Sequence, residues 1–284
     1  MTLVDSSFFA REYNNRELVP DHPKHFARWQ QGSADARAKL NCTLDLRYGS
    51  APGETIDLFP ARKGDGSCLV FIHGGYWRSL DKSDFSFIAP AWVEAGVSVA
   101  VVNYDLCPKV TIETIVRQML NAARWLWLRG GDYGIDGRRL YVSGHSAGGH
   151  LTAMLMAALW PIFDQRLPAD LFKGGLPISG IYDLRPLVQA PWLNADLRLD
   201  EPKALKLSPA YLPPTSRAPL MTCVGGDESS EFLRQNALLG ARWRKVLAGD
   251  IAMPGKNHFS VVDGLADPAS PLFAGARRLM GLKR

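Results

Sequence analysis

The sequence predicts an α/β protein with a mostly parallel central sheet, helices on both faces and one domain over residues 1–284. Three observations carry this. From about residue 68 onward, short β-branched runs alternate with stretches of helical apolar spacing, the rhythm of strand–helix–strand units. Two of the runs, Cys68-Leu69-Val70-Phe71-Ile72 and Val97-Ser98-Val99-Ala100-Val101-Val102, are almost continuously apolar, as strands buried on both faces must be. Finally, Tyr141-Val142-Ser143 runs into the glycine-flanked Gly144-His145-Ser146-Ala147-Gly148 and then into small and apolar residues at helical spacing, which reads as strand, sharp turn, helix.

The elements follow in order. Residues 1–40 form an N-terminal helical segment, with a helix from about Pro23 to Leu40 entered at Asp21-His22-Pro23. His22 and His25 have a spacing that could suit a metal, but no third ligand is near, so they read as surface histidines. Thr43–Tyr48 and Thr55–Phe59 alternate and are joined by turn residues, an antiparallel hairpin. Helices are expected over Asp84–Gly96 and Ile112–Leu128, with the strand Leu140–Ser143 leading into the serine turn. Beyond it come strands at Leu176–Ser179, Pro219–Gly225 and Asp250–Met253, and helices over Glu231–Val246 and Pro271–Leu282. The stretch 183–217, rich in Pro, Leu and Trp, breaks the rhythm and reads as a partial lid over the C-terminal edge of the sheet. No linker or internal repeat divides the chain.

Composition excludes several function classes. With 46% hydrophobic and 21% charged residues and no long polar tract, the chain has the material for a packed core. The net charge of +5 is scattered, and its densest cluster, Arg242-Trp243-Arg244-Lys245, reads as the solvated side of a helix, so no nucleic-acid partner is expected. The four cysteines lie far apart without zinc-type pairing, and the two inside strand-like apolar runs read as buried, reduced core residues. Residues 1–11 lack a basic start followed by an apolar stretch, and no run reaches transmembrane length. A soluble cytoplasmic protein without a membrane partner is the expectation, and a homodimer is compatible with the sequence.

The serine turn carries the chemistry. A serine at the tip of a tight strand-to-helix turn sits in strained backbone that only small neighbours can flank, and Gly144 and Gly148 supply that room. The same turn leaves the N–H of Ala147 at a helix start, aimed at an oxygen that becomes negative when Ser146 attacks a carbonyl. A second donor is expected from Gly74 or Gly75 in His73-Gly74-Gly75-Tyr76-Trp77, directly after the buried strand ending at Ile72. The acid is assigned to Asp227 in Val224-Gly225-Gly226-Asp227-Glu228, with Glu228 as the fallback and Asp183 as a weaker rival. The base is His258, in the loop after the last strand, while His145 is held away from Ser146 and His150 packs on the following helix. Serine, acid and histidine then occur in the chain order of α/β-hydrolases.

With these residues in hand, the chain resembles the α/β-hydrolase superfamily and, within it, kynurenine formamidase (arylformamidase) and its bacterial relatives. The most specific match is His73-Gly74-Gly75-Tyr76-Trp77, because larger lipase and esterase groups usually have a third glycine where this chain has Tyr76. Supporting matches are Arg11-Glu12-Tyr13-Asn14, Asn103-Tyr104-Asp105-Leu106-Cys107-Pro108, Gly144 to Leu151, and Gly226-Asp227-Glu228-Ser229 with Phe232 and Gln235. The resemblance covers most of the chain and is weakest over 183–217. It implies an α/β-hydrolase fold, a triad of Ser146, Asp227 and His258, an oxyanion hole at residues 73–77, and hydrolysis of N-formylkynurenine to kynurenine and formate. Tyr76, Trp77, Tyr182 and Trp192 are the candidate contacts to an aryl formamide or ester substrate, set against the alternative that they only pack. No metal or organic cofactor is required. An aryl or short-chain carboxylesterase of the same fold is the alternative activity. A non-catalytic binding protein is the second, although such a relative normally lacks part of the triad. Because His258 must be neutral to act as base, activity is expected to fall toward acid pH.

Overall fold

Along the two apolar runs, side chains alternate between two separate cores, because successive residues of a strand point to opposite faces. Cys68, Val70 and Ile72 join one core and Leu69 and Phe71 the other; Ala100 and Val102 are likewise opposed to Val99 and Val101. A computed structural model of the chain describes residues 6–282. Its strands are β1 (Thr43–Arg47), β2 (Thr55–Phe59), β3 (Cys68–Ile72), β4 (Ser98–Val102), β5 (Leu140–His145), β6 (Phe172–Ile178), β7 (Leu220–Gly225) and β8 (Leu247–Met253). They form one sheet in the order β1-β2-β4-β3-β5-β6-β7-β8. The β1–β2 and β2–β4 pairs are antiparallel and all others parallel.

The helices are α1 (Ser6–Glu12), α2 (Asn15–Leu18), α3 (His22–Lys39), α4 (Ala89–Glu94), α5 (Ile112–Arg129), α6 (Ala147–Met156), α7 (Trp160–Phe163), α8 (Pro191–Leu197), α9 (Glu201–Lys206), α10 (Ser230–Arg242) and α11 (Pro271–Leu279). Apolar side chains of α5, α6 and α10 fill the first core, and those of α3, α4 and α11 fill the second. The sequence pattern explains these placements. In α5, Thr111 caps the helix through Thr114 N–H, and Ile112, Ile115, Met119, Ala122 and Leu126 recur on its buried face. None of the helices among the described residues is long and apolar enough to cross a membrane.

Several boundaries differ from the sequence reading for local reasons. The helix expected over Asp84–Gly96 is α-helical only from Ala89, since residues 82–88 form 3-10 turns and Pro90 suits a first helical turn. Strand β6 starts earlier than Leu176. Its Gly174 and Gly175 hid it, yet a Cβ at either would press on Leu279 or Met156 within 3 Å, so both glycines let helices lie close to the strand. Strand β2, read as half-exposed, is fully buried, and its Asp57 pairs with the buried Lys82 ammonium at 2.8 Å. The stretch 183–217 holds α8, α9 and two 3-10 turns between β6 and β7. Cys68, Cys107 and Cys223 are buried and Cys42 is half-buried, and all four are free thiols.

Trp92 of α4 ties the second core together: it is fully buried, its ring centroid lies 4.4 Å from that of Phe273, and its indole N–H donates to Leu265 O at 2.9 Å. Trp92→Ala is expected to cost about 3–5 kcal/mol, the range for emptying a buried aromatic site. Equilibrium urea unfolding measures this, and a midpoint equal to that of the parent protein would contradict the assigned packing.

Candidate active site

The site is assembled from loops at the C-terminal ends of parallel strands, where α/β sheets leave a crevice. Ser146 follows β5 with φ +56° and ψ −117°, a conformation that L residues rarely adopt. Its N–H donates to Ile178 O at 2.8 Å, which fixes the turn against the end of β6. Only glycine fits at 148: a Cβ there would lie 2.0 Å from Ile72 O, because the first turn of α6 presses onto the end of β3. Ala147 is the first residue of α6, so its N–H has no carbonyl within the helix to bond.

His258, in the loop after β8, places Nε2 3.0 Å from Ser146 Oγ and Nδ1 2.6 Å from Glu228 Oε2. Nδ1–H donates to the carboxylate, which leaves Nε2 free to accept from the serine hydroxyl. The carboxylate that reaches His258 is therefore that of Glu228, not the Asp227 expected from the sequence. The chain turns after β7, with Glu228 N–H donating to Gly225 O and Asp227 N–H to Lys256 O. Asp227 faces solvent, while the next side chain points inward and its extra methylene carries it under the imidazole. There Glu228 Oε1 also accepts from Ser179 Oγ and from Gly225 N–H at 2.7 Å. Asp183, the other rival, is occupied by Arg185 and the Tyr211 hydroxyl.

The imidazole of His258 is clamped on both sides. Phe232 and His145 pack on it with ring centroids 4.5 and 4.8 Å away, and His145 Nε2–H donates to the His258 carbonyl at 2.7 Å. His145 is thus directed away from Ser146, toward the His258 backbone.

The loop after β3 lies against the serine. A Cβ on Gly74 would come within 3.0 Å of Ser146 Cβ, and Gly75 has φ +102°, with its Cβ position blocked by Ser79 O. The Gly74 carbonyl accepts from His73 Nδ1 at 2.8 Å and from the Tyr104 hydroxyl at 3.2 Å. A trans peptide then turns the N–H of Gly75 to the opposite side. Asn103 sits between His73 and Asp81, with contacts of 2.9 and 2.7 Å. The Asn103-Tyr104 motif therefore buttresses this loop. Tyr76 and Trp77 hold φ of +51° and +56°, local strain of the kind that concentrates at functional sites.

A cavity of about 260 Å³ opens over Ser146 and His258. Of the four candidate substrate contacts, Tyr76 and Trp192 line it, as an edge-to-face pair 5.8 Å apart. The other two are corrected. Trp77 is fully buried against His150 at 5.0 Å, and Tyr182 is fully buried, its hydroxyl accepting from Gly180 N–H. Both belong to the first core: Trp77 packs against His150, and the Tyr182 ring lies over Gly180, where a Cβ would press on it. The cavity also takes a wall that sequence reasoning missed: Asn14, Asn15, Arg16, Phe26 and Trp29 from the N-terminal segment. The available signal was Arg11-Glu12-Tyr13-Asn14, which matched a family pattern without suggesting a place in the fold. His22 and His25 stand behind this wall, packed on Phe259.

Burial lowers the pKa of His73, His145 and His150 because a charged imidazole is poorly solvated there. For His145 the neighbouring His258 adds to the burial effect; for His150 burial outweighs the Leu207 carbonyl and brings the value to about 4.

Residues 56–168 match the family model BD-FAE. Kynurenine formamidase of Salmo salar is 30% identical over 98% of this chain and 96% of its own. Ethyl acetate hydrolase of Pseudomonas putida is 32% identical over 56% of this chain and 51% of its own. A solved structure from Silicibacter sp. TM1040, designated a thioesterase, superposes with a TM-score of 0.82 at 33% identity, covering 93% of this chain and 97% of its own.

Two outcomes follow from this geometry. Glu228→Gln should lower kcat on a p-nitrophenyl ester by about a thousandfold or more, as amide replacement does in other triads, whereas Asp227→Asn should stay near the parent rate; the reverse ranking would restore Asp227 as the acid. Folded-state pKa values depressed below about 6.5 mean that the unfolded chain takes up protons the folded one refuses. Stability should thus be full above about pH 6.5 and decline as the pH falls toward the His150 value of about 4. Urea midpoints measured from pH 7.5 to 4.5 should show a shallower decline for His150→Asn than for the parent, and parallel curves would exclude His150 as a source.

Proposed function

We propose that this chain, which belongs to the kynurenine formamidase family of α/β-hydrolases, cleaves the formamide bond of an N-formyl aryl amine, with N-formylkynurenine as substrate and kynurenine and formate as products. It is a hydrolase of arylformamidase or carboxylesterase type. The observation that carries the reading is the Ser146–His258–Glu228 relay, with contacts of 3.0 and 2.6 Å, opening into a cavity walled by Phe26, Trp29, Tyr76, Trp192 and Phe259. Flat apolar walls suit an aryl leaving group.

In this mechanism Ser146 Oγ attacks the formyl carbon while His258 Nε2 takes its proton, and Glu228 holds the tautomer and stabilises the imidazolium. The N–H groups of Ala147 and Gly75 receive the oxyanion, each donor contributing about 3 kcal/mol of transition-state stabilisation in comparable sites. Collapse breaks the C–N bond, and His258 returns the proton to the departing aryl amine. Water, deprotonated by His258, then attacks the formyl ester on Ser146, releasing formate and the free serine. No step requires a metal or organic cofactor.

Ester hydrolysis is the second reading, favoured by the similarity to ethyl acetate hydrolase. Ser146→Ala should abolish turnover of both substrate classes while the circular dichroism spectrum is retained, and a fluorophosphonate adduct should map to Ser146 by mass spectrometry. Comparison of kcat/KM on N-formylkynurenine and on short acyl esters decides between the readings. Turnover confined to esters would overturn the formamidase assignment.

A further inference from the structure

We infer that the cavity mouth recognises a carboxylate on the leaving-group side of the substrate, with Arg16 as its counter-ion and the Asn14 carboxamide as a neighbouring donor. The inference rests on the formamidase reading in one respect: a formyl group is a single carbon, so any charged substituent must lie on the amine portion.

The charge balance of the cavity points to an anion. Its fixed charges are Arg16, Arg78 and Asp196. Arg78 is already engaged: Nη1 donates to Asp196 Oδ2 at 2.6 Å and to Trp192 O at 3.0 Å, and the guanidinium lies over the Trp192 ring. Those two charges cancel. Arg16 has no carboxylate partner among the described residues, and its guanidinium is held 5.6 Å from the Phe26 ring centroid. Stacking on an aromatic face orients a guanidinium without neutralising it, so its donors stay available. Arg16, at the exposed rim, is therefore the lining cation without a carboxylate partner among the described residues, while the Glu228 carboxylate is buried behind His258.

Asn14 supplies a second, independent sign. It lines the same cavity, and its carboxamide has no hydrogen-bond partner among the described residues. Asn15, between the two, turns the other way: it is buried and its Nδ2 donates to the Tyr76 hydroxyl at 3.3 Å, which in turn donates to Tyr13 O. The Tyr13 side chain anchors the segment from below, its hydroxyl donating to Glu231 Oε2 at 2.7 Å and accepting from Gln235 Nε2 at 2.8 Å. Two side chains without a hydrogen-bond partner among the described residues thus stand on a pinned stretch of backbone in the cavity wall. A carboxylate would satisfy both, and an α-amino acid side arm, as in N-formylkynurenine, presents one.

The test compares each carboxylate-bearing substrate with an uncharged counterpart that lacks the carboxylate: N-formylkynurenine, whose arm is zwitterionic, with formanilide, and 4-acetoxybenzoate with phenyl acetate. Arg16→Ala should lower the charged-to-neutral ratio of kcat/KM about tenfold, the scale of a charge-assisted hydrogen bond, through KM rather than kcat. Arg16→Lys should restore part of that ratio and Arg16→Glu should depress it further. Equal changes on charged and neutral members, or an unchanged ratio, would overturn the inference. The ester pair keeps the two readings separable: if formamides are not cleaved but the ester ratio still depends on the charge at position 16, the substrate assignment fails while carboxylate recognition stands.

Discussion

The close approach of the β5–α6 turn to the end of β3 is the constraint on which the site depends. Gly148 lies so near Ile72 O that no side chain fits between them, and the helix starting at Ala147 can advance only because that space is empty. This contact holds Ser146 in its positive-φ conformation, starts α6 directly after the serine and brings Gly74 close to the Ser146 side chain. A proposed nucleophile and the backbone proposed to receive the oxyanion are set by one packing event.

Around that turn, Glu228 joins three strand ends. Its carboxylate accepts from Ser179 after β6, from Gly225 at the end of β7 and from His258 after β8. A buried carboxylate is costly unless its lone pairs are filled, and here three donors fill them. The geometry of the His258 ring thus depends on the register of the last three parallel strands rather than on its own loop alone. His145 and Phe232 pack against His258, so a histidine beside the serine in sequence supports the proposed base instead of competing with it.

The N-terminal segment closes the site from outside the sheet. Tyr13 is buried against Phe232 and bonded to Glu231 and Gln235, and Trp192 donates its indole N–H to Ala10 O. These bonds connect residues about 180 to 220 positions apart and make one wall from the start of the chain and another from α8. The cavity wall is accordingly made of segments that say little about function when read alone.

What the sequence determined by itself were features with short-range physical causes. The strand–turn–helix at Ser146, the doubly buried β3 and β4, the glycines after β3 and the histidine after β8 are each written in local residue choice, because periodicity and steric room act within a few residues. The tertiary structure decided what depends on side-chain direction. Asp227 and Glu228 are adjacent acids in one turn, and only the packing of that turn against Lys256 and Ser179 sends the second inward and the first to solvent. The same holds for the aromatics: Tyr76 and Trp77 are consecutive residues in left-handed backbone, yet one lines the cavity and the other fills the core. Local sequence fixes where the chain turns; the direction in which each side chain leaves the turn is set by neighbours that arrive from distant parts of the chain.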